Sequence, residues 1–337
     1  MINYGKSVQV IDARDINTLS EELLASDEPI LLKGLVRHWP AVSEGLASHK
    51  KLSDYIKRFY SGIPVVLYQC DKEKAGRYFY DDDYRSLAFK ASRTKLDRVL
   101  DELSEATSRV DSDNFYVGST TVDDCLPGFR QENDIPLGKR DPLVSIWLGN
   151  QSRVAAHFDA PDNLACCVAG RRTFTLFPID QIDNLYVGPI DFTPSGQMIS
   201  TVDFRNPDLE KHPKFSQAMQ HALIADLEPG DALILPSMWW HHVESHTDFN
   251  VLVNYWWRAV PSYFDAPLDA IYHSILALRD LPEREKQAWR VVFNHFIFDD
   301  QGGKYDHIPE GGRGILNHLD DESARKIRMV LLNKLNR

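Results

Sequence analysis

The chain has 337 residues and a formal net charge of −11, from 38 Lys and Arg against 49 Asp and Glu. Hydrophobic residues make up 43% and aromatic residues 11%, which excludes a disordered or collagen-like chain and leaves material for a real core. The acidic balance, without a run of five like charges, argues against nucleic acid as a primary partner. No stretch approaches the 18 apolar residues of a membrane span.

The N-terminal MINYGKSVQV lacks the apolar core of a signal peptide. Asp15–Ala25 then reads as a helix, with Asn17 or Thr18 as its cap. Ile30–Leu32 is a short apolar strand closed by Gly34 and a Trp39-Pro40 turn. Helical spacing recurs over Leu52–Tyr60 and Thr94–Ala106, where Leu96, Val99, Leu100 and Leu103 make one face. Val65–Tyr68 and Phe115–Val117 look like strands.

From about residue 140 to 258 the texture changes to strand-like runs joined by tight turns. They are Val144–Leu148, Arg153–Asp159, Leu164–Val168, Thr173–Phe177, Met198–Val202, Ala222–Leu227, Ala232–Leu235, Trp239–Ser245 and Phe249–Trp257. Ala169-Gly170-Arg171 and Glu228-Pro229-Gly230-Asp231 read as turns, with Asp231 a turn residue. Ile179–Gln197 reads as a loop, and Phe204–Gln217 as irregular with about one turn of helix. About eight strands without interleaved long helices argue for a jelly-roll or barrel, not a doubly wound sheet. Past Pro261, helical runs cover Leu268–Leu278, Glu283–Phe298 and Asp320–Leu335, with a polar loop at Asp300–Gly312. The organisation expected is one mainly β domain over residues 1–261, with its barrel core at about 140–258, and a helical segment over 262–337. Cys70, Cys125, Cys166 and Cys167 show no CxxC spacing. Buried free thiols and a reducing, cytoplasmic setting are expected.

Chemistry concentrates at His157-Phe158-Asp159. Residues two apart on a strand share a face, so His157 and Asp159 can converge on one ion while Phe158 points away. His241 and His242, beside a later strand, are candidates for a third ligand. Two histidines and a carboxylate form the facial triad of non-heme Fe(II) oxygenases, which leaves positions open for a bidentate 2-oxo acid and O₂. An isolated HxD tripeptide also occurs by chance, and Arg171-Arg172 alone reads as a solvated hairpin turn. Asp162, Asp180 and Asp183 read as solvated loop acids. In Trp239-Trp240 and Trp256-Trp257, strand alternation puts one ring of each pair in the core and one at the site.

The stretch Ser145–Arg258, 114 of the 337 residues, resembles the JmjC, cupin-like family of 2-oxoglutarate oxygenases, and within it the asparaginyl hydroxylases. The blocks HFDAPDNLACCVAGRRTFTLFPIDQIDNLY, VDFRNPDLEKHPKF, LEPGDALILPSMWWHHVES and NVLVNYWW carry the resemblance, with ILLKGLVRHWPAV and the strand around Tyr116 as looser support. The resemblance implies a double-stranded β-helix with an N-terminal α/β elaboration and C-terminal helices. It implies iron held by His157, Asp159 and His241. It implies 2-oxoglutarate contacts from Tyr116, Asn163, Arg172 and Asn254, with Trp256 beside the metal. Two positions depart from the family: Arg172 stands where it has a lysine, and Val154 where it has a threonine. An arginine can hold a carboxylate bidentately, and Arg171 remains an alternative source of the charge. The implied activity is Fe(II)- and 2-oxoglutarate-dependent hydroxylation of a protein or peptide side chain, by a homodimer joined through its C-terminal helices. The rival is a cupin-like metal-binding protein that is non-catalytic or uses no 2-oxo acid.

Overall fold

A computed structural model describes residues 5–106, 113–194, 196–299 and 302–336. Residues 1–4 of the N-terminal run, residue 195 of the loop expected at 179–197, and residues 300–301 of the one at 300–312 lie outside them. The chain divides into two compact units, residues 1–258 and 259–337.

Among the described residues, the first unit is built on fifteen strands. These are β1 (Gly5–Ser7), β2 (Gln9–Asp12), β3 (Ile30–Lys33), β4 (Pro64–Cys70), β5 (Arg77–Tyr78), β6 (Lys90–Lys95), β7 (Asn114–Thr121), β8 (Leu143–Gly149), β9 (Ser152–His157), β10 (Asp162–Ala169), β11 (Arg172–Phe177), β12 (Ala222–Leu227), β13 (Ala232–Leu235), β14 (Trp240–Ser245) and β15 (Asn250–Trp257). They form a six-stranded sheet, β1-β12-β11-β14-β9-β5, and a nine-stranded sheet, β2-β3-β13-β10-β15-β8-β7-β4-β6. Of β8 to β15, four lie in each sheet, which is the double-stranded β-helix, or jelly-roll. The N-terminal strands extend both sheets instead of folding apart.

Alternation along the central strands decides what faces what. In β10, Leu164, Cys166 and Val168 pack into the outer core, while Ala165 and Cys167 pack between the sheets. In β15, Val251, Val253, Tyr255 and Trp257 face the outer core. Helices Pro40–Ala47, His49–Lys57 and Leu96–Ala106 supply that core's other side. Leu96, Val99, Leu100 and Leu103 are all buried, as the spacing predicts. Each such fully buried Leu or Val contributes roughly 1.5–3 kcal/mol.

Turn chemistry ties the layers together. Gly170 and Gly230 adopt positive φ at the two expected turns. Asp231 does more than turn the chain. Its carboxylate accepts from the Gly34 and Glu228 amides, each at 2.9 Å, and pairs with Lys33.

Three local expectations are corrected. The first helix covers only Glu21–Leu24 and is capped by Ser20, whose hydroxyl accepts from the Leu23 amide at 3.2 Å. Ile16 closes a tight turn onto the Ala13 carbonyl, so no helical ladder begins there. Pro40 does not end a turn but opens a helix as its first residue, where a missing N–H costs nothing. Met198–Val202 is no strand: it makes one isolated bridge, Val187 to Ser200, and the Ser200 hydroxyl donates to the Leu185 carbonyl.

The second unit contains helices Pro267–Leu278, Glu283–Phe293 and Asp321–Leu335. A single π turn, Asn294–Phe298, continues the second. A capping box between Asp320 and Ser323 opens the third. Apolar side chains stay exposed on all of them, with Leu276 79%, Val291 68% and Leu332 60% accessible.

Candidate metal centre

The end of β9 and the start of β14 lie side by side, antiparallel, with His157 directly opposite His241. β9 ends at His157, and the chain runs on extended so that Asp159 returns to the same side. Phe158 points away and packs edge-on against Trp240 at 4.9 Å. One donor atom from each of His157, Asp159 and His241 lies within 4.8 Å of the other two.

Tautomers follow from the backbone. His157 Nδ1 lies 2.9 Å from the Ala155 carbonyl, and His241 Nδ1 lies 3.0 Å from the Trp239 carbonyl. A carbonyl oxygen only accepts, so each Nδ1 carries a proton and each Nε2 is the ring atom left to face a ligand. Burial, followed by the neighbouring His157 ring, pushes the His241 imidazole down to about 4. At neutral pH its 3.7 Å approach to Asp159 Oδ2 is therefore not an ion pair but two donors aimed at one point. Two imidazoles and a carboxylate on one side are the donor set of a facial triad. They fit a divalent ion that keeps open positions.

The loop bearing Asp159 is fastened to the turn preceding His241. The Met238 amide donates to the Asp159 carbonyl at 2.8 Å. Ser237 donates its amide to Asp162 Oδ1 at 2.9 Å and its hydroxyl to the Ala160 carbonyl at 2.6 Å. Met238 takes a left-handed backbone, φ 66, to make this fit. Asp162 thus braces the turn and is not a merely solvated acid.

The triad opens into a cavity of about 520 Å³. Tyr116, Asn163, Arg172, Asn254 and Trp256 all line it. Trp147 Nε1 donates to Asn254 Oδ1 at 2.6 Å, and Asn254 Nδ2 donates to Asn163 Oδ1 at 3.3 Å. Arg172 is 4% exposed. Its Nε has no hydrogen-bond partner, and no described residue forms an ion pair with it. The titratable groups acting on it are the Cys167 thiol, pushed up to about 12, and the Tyr116 phenol, also pushed up, both by burial. Both are neutral at pH 7, so a buried cation faces the cavity without a counter-charge. Such burial costs several kcal/mol unless an anion joins it. The site fits a carboxylate at this end.

Arg171 sits exposed at the hairpin turn, outside this lining. His242 turns away: it contacts Glu244 at 3.2 Å and stacks on Phe204 at 4.3 Å. Trp256 lines the cavity and Trp257 is core, as alternation requires. The other pair departs from expectation. Trp240 is core, but Trp239 lies in the turn before β14 and donates to the Asp27 carbonyl at 2.9 Å. Sequence reasoning missed Tyr78, Trp147 and Ser237. Only Trp147 left a signal, since it alternates with the buried Val144, Ile146 and Leu148.

A model of the cupin-like domain family matches residues 16–263. Lysine-specific demethylase 8 of Xenopus tropicalis is 26% identical over 235 residues, 67% of this chain and 47% of that protein. HSPB1-associated protein 1 of Homo sapiens is 34% identical over 119 residues, 35% of this chain and 24% of that protein. Lysine-specific demethylase JMJ31 of Arabidopsis thaliana is 30% identical over 129 residues, 36% of this chain and 23% of that protein. The chain thus spans about half the length, or less, of these curated relatives.

Proposed function

The chain belongs to the cupin-like domain family in its JmjC form, and from that premise we propose that it hydroxylates a protein or peptide side chain. JmjC-type cupin-like oxygenases use Fe(II) and 2-oxoglutarate. The observation that carries the reading here is the buried, uncompensated Arg172 in the same cavity as the triad. A metal-binding module without a 2-oxo acid has no use for it.

In this reading His157, Asp159 and His241 hold the ion, each imidazole through the Nε2 that its Nδ1 hydrogen bond leaves free. Bound there, Fe(II) with 2-oxoglutarate and O₂ supplies the oxidising equivalent, giving succinate and CO₂ and one oxygen atom for a substrate C–H bond. The chain's own residues bind, orient and exclude water. Arg172 neutralises one carboxylate of the 2-oxo acid, with Tyr116 beside it. The Asn163–Asn254–Trp147 chain of hydrogen bonds holds the floor of the cavity in one arrangement. Trp256, Phe174, Ile199 and Leu252 supply apolar wall, which raises the worth of each charge contact inside.

Hydroxylation is the outcome that the sequence resemblance favours, and demethylation is what the names of two relatives carry. The two differ only in which C–H bond is presented. The decisive assay incubates the purified chain with Fe(II), 2-oxoglutarate and O₂ and measures succinate. Turnover above the protein-free rate is expected. No succinate, together with no calorimetric binding of 2-oxoglutarate, would sink the proposal.

The same proposal includes a homodimer through the C-terminal helices, supported by the exposed apolar side chains of the second unit. Four free, buried cysteines support a reducing, cytoplasmic setting.

A further inference from the structure

Among the described residues, three polar groups lining the cavity are buried without a hydrogen-bond partner: Arg172 Nε, Trp256 Nε1 and the Tyr78 hydroxyl. Tyr78 has no place in the sequence reading. It lies on the two-residue strand β5, pairs in parallel with β9, and stands in register with Val154. Val154 lines the cavity too and has no polar atom to offer. The Tyr78 ring packs 5.4 Å from Tyr116 and 5.5 Å from Phe89, so its orientation is fixed. The side chain is 6% exposed. Leaving a buried hydroxyl unbonded costs about 1–3 kcal/mol.

A carboxylate offers about four lone-pair sites. The Arg172 guanidinium can fill two, and the Tyr116 hydroxyl a third. We propose that the Tyr78 hydroxyl, its ring packed beside Tyr116, donates a hydrogen bond to the 2-oxo acid held in this cavity, making it a binding residue for the co-substrate. This rests on the 2-oxoglutarate reading above. It explains why a hydroxyl is kept in an apolar niche where phenylalanine would fit at no cost to the unliganded chain.

The test compares wild type with Tyr78→Phe, using Mn(II) in place of iron so that no turnover occurs. Calorimetry reads Mn(II) affinity and then 2-oxoglutarate affinity, and a thermal melt is run with and without the 2-oxo acid. Tyr78→Phe is expected to leave Mn(II) affinity unchanged and to weaken 2-oxoglutarate about tenfold, as for one hydrogen bond to a charged group. Its melting temperature without 2-oxoglutarate is expected not to fall, and the upward shift on adding 2-oxoglutarate to shrink. Undiminished 2-oxoglutarate binding by the variant overturns the inference. So does a lowered unliganded melting temperature with 2-oxoglutarate affinity intact, which marks a purely structural hydroxyl. A wild type that binds Mn(II) but no 2-oxoglutarate overturns the parent reading instead.

Discussion

The two ends of the cavity are built on opposite principles. At the triad, the polar groups that aim the ligands are satisfied: both Nδ1 atoms are bonded, and the loop and turn that bear Asp159 and His241 are fastened together. At the other end, Arg172 and Tyr78 keep buried polar atoms with no partner among the described residues. The first end is prepared in geometry and the second is left short of one anion. A satisfied frame fixes where ligands point, whereas an unsatisfied niche fixes what charge must arrive. A site for a cation and an anion together needs both.

The largest effect breaks the metal end. His157→Ala or Asp159→Ala should weaken Mn(II) or Co(II) by more than the roughly hundredfold that changes behind the ligands produce. Calorimetry that found an unchanged affinity would remove the triad from the site.

Next comes the anion end. Arg172→Met should weaken 2-oxoglutarate by roughly 10- to 150-fold, from the 1.5–3 kcal/mol of charge-assisted hydrogen bonds. Metal affinity should stay as it was. Because an uncompensated buried charge has gone, the unliganded melting temperature should not drop. A large drop would mean that Arg172 serves the fold, and the contrast between the two ends would collapse.

Ser237→Ala should sharpen the contrast more gently. It removes the hydroxyl bond to the Ala160 carbonyl and should cost about 1 kcal/mol. That lowers metal affinity up to about tenfold, with little change in 2-oxoglutarate binding measured at saturating metal. An equal loss at both ends would show that the fastening is not specific to Asp159.

The smallest effect on either end should come from the second unit. Leu276→Asp and Val291→Asp are expected to lower the solution mass in light scattering while leaving both affinities within about twofold. A wild type that is monomeric at micromolar concentration would end the dimer proposal.

Much of this was legible in the residues. Eight of the nine strand runs between 140 and 258 are strands, because alternation with tight Gly-containing turns is a local property. Met198–Val202 failed because its apolar residues serve the rim cluster and not a ladder. The helix at Glu21–Leu24 was misplaced because Asn17 and Thr18 can cap as well as Ser20 on paper. Which serine or threonine caps depends on where the following backbone turns.

The sequence by itself determined the jelly-roll texture, the His157-x-Asp159 pair on one face, and a charged residue at position 172. Those follow from strand periodicity and residue chemistry, which act over a few positions. Strand periodicity left His241 and His242 open and the family resemblance pointed to His241; the tertiary structure brings His241 to His157 and Asp159 and turns His242 away toward Glu244. It also decided that Arg172 points inward while Arg171 does not, and that Ser237 braces the metal loop. Tyr78 was beyond the sequence altogether. It enters the cavity through the pairing of a two-residue strand with residues 153–154, a contact across more than seventy positions. No local pattern encodes such a contact, because its energy comes from register and burial in the closed barrel.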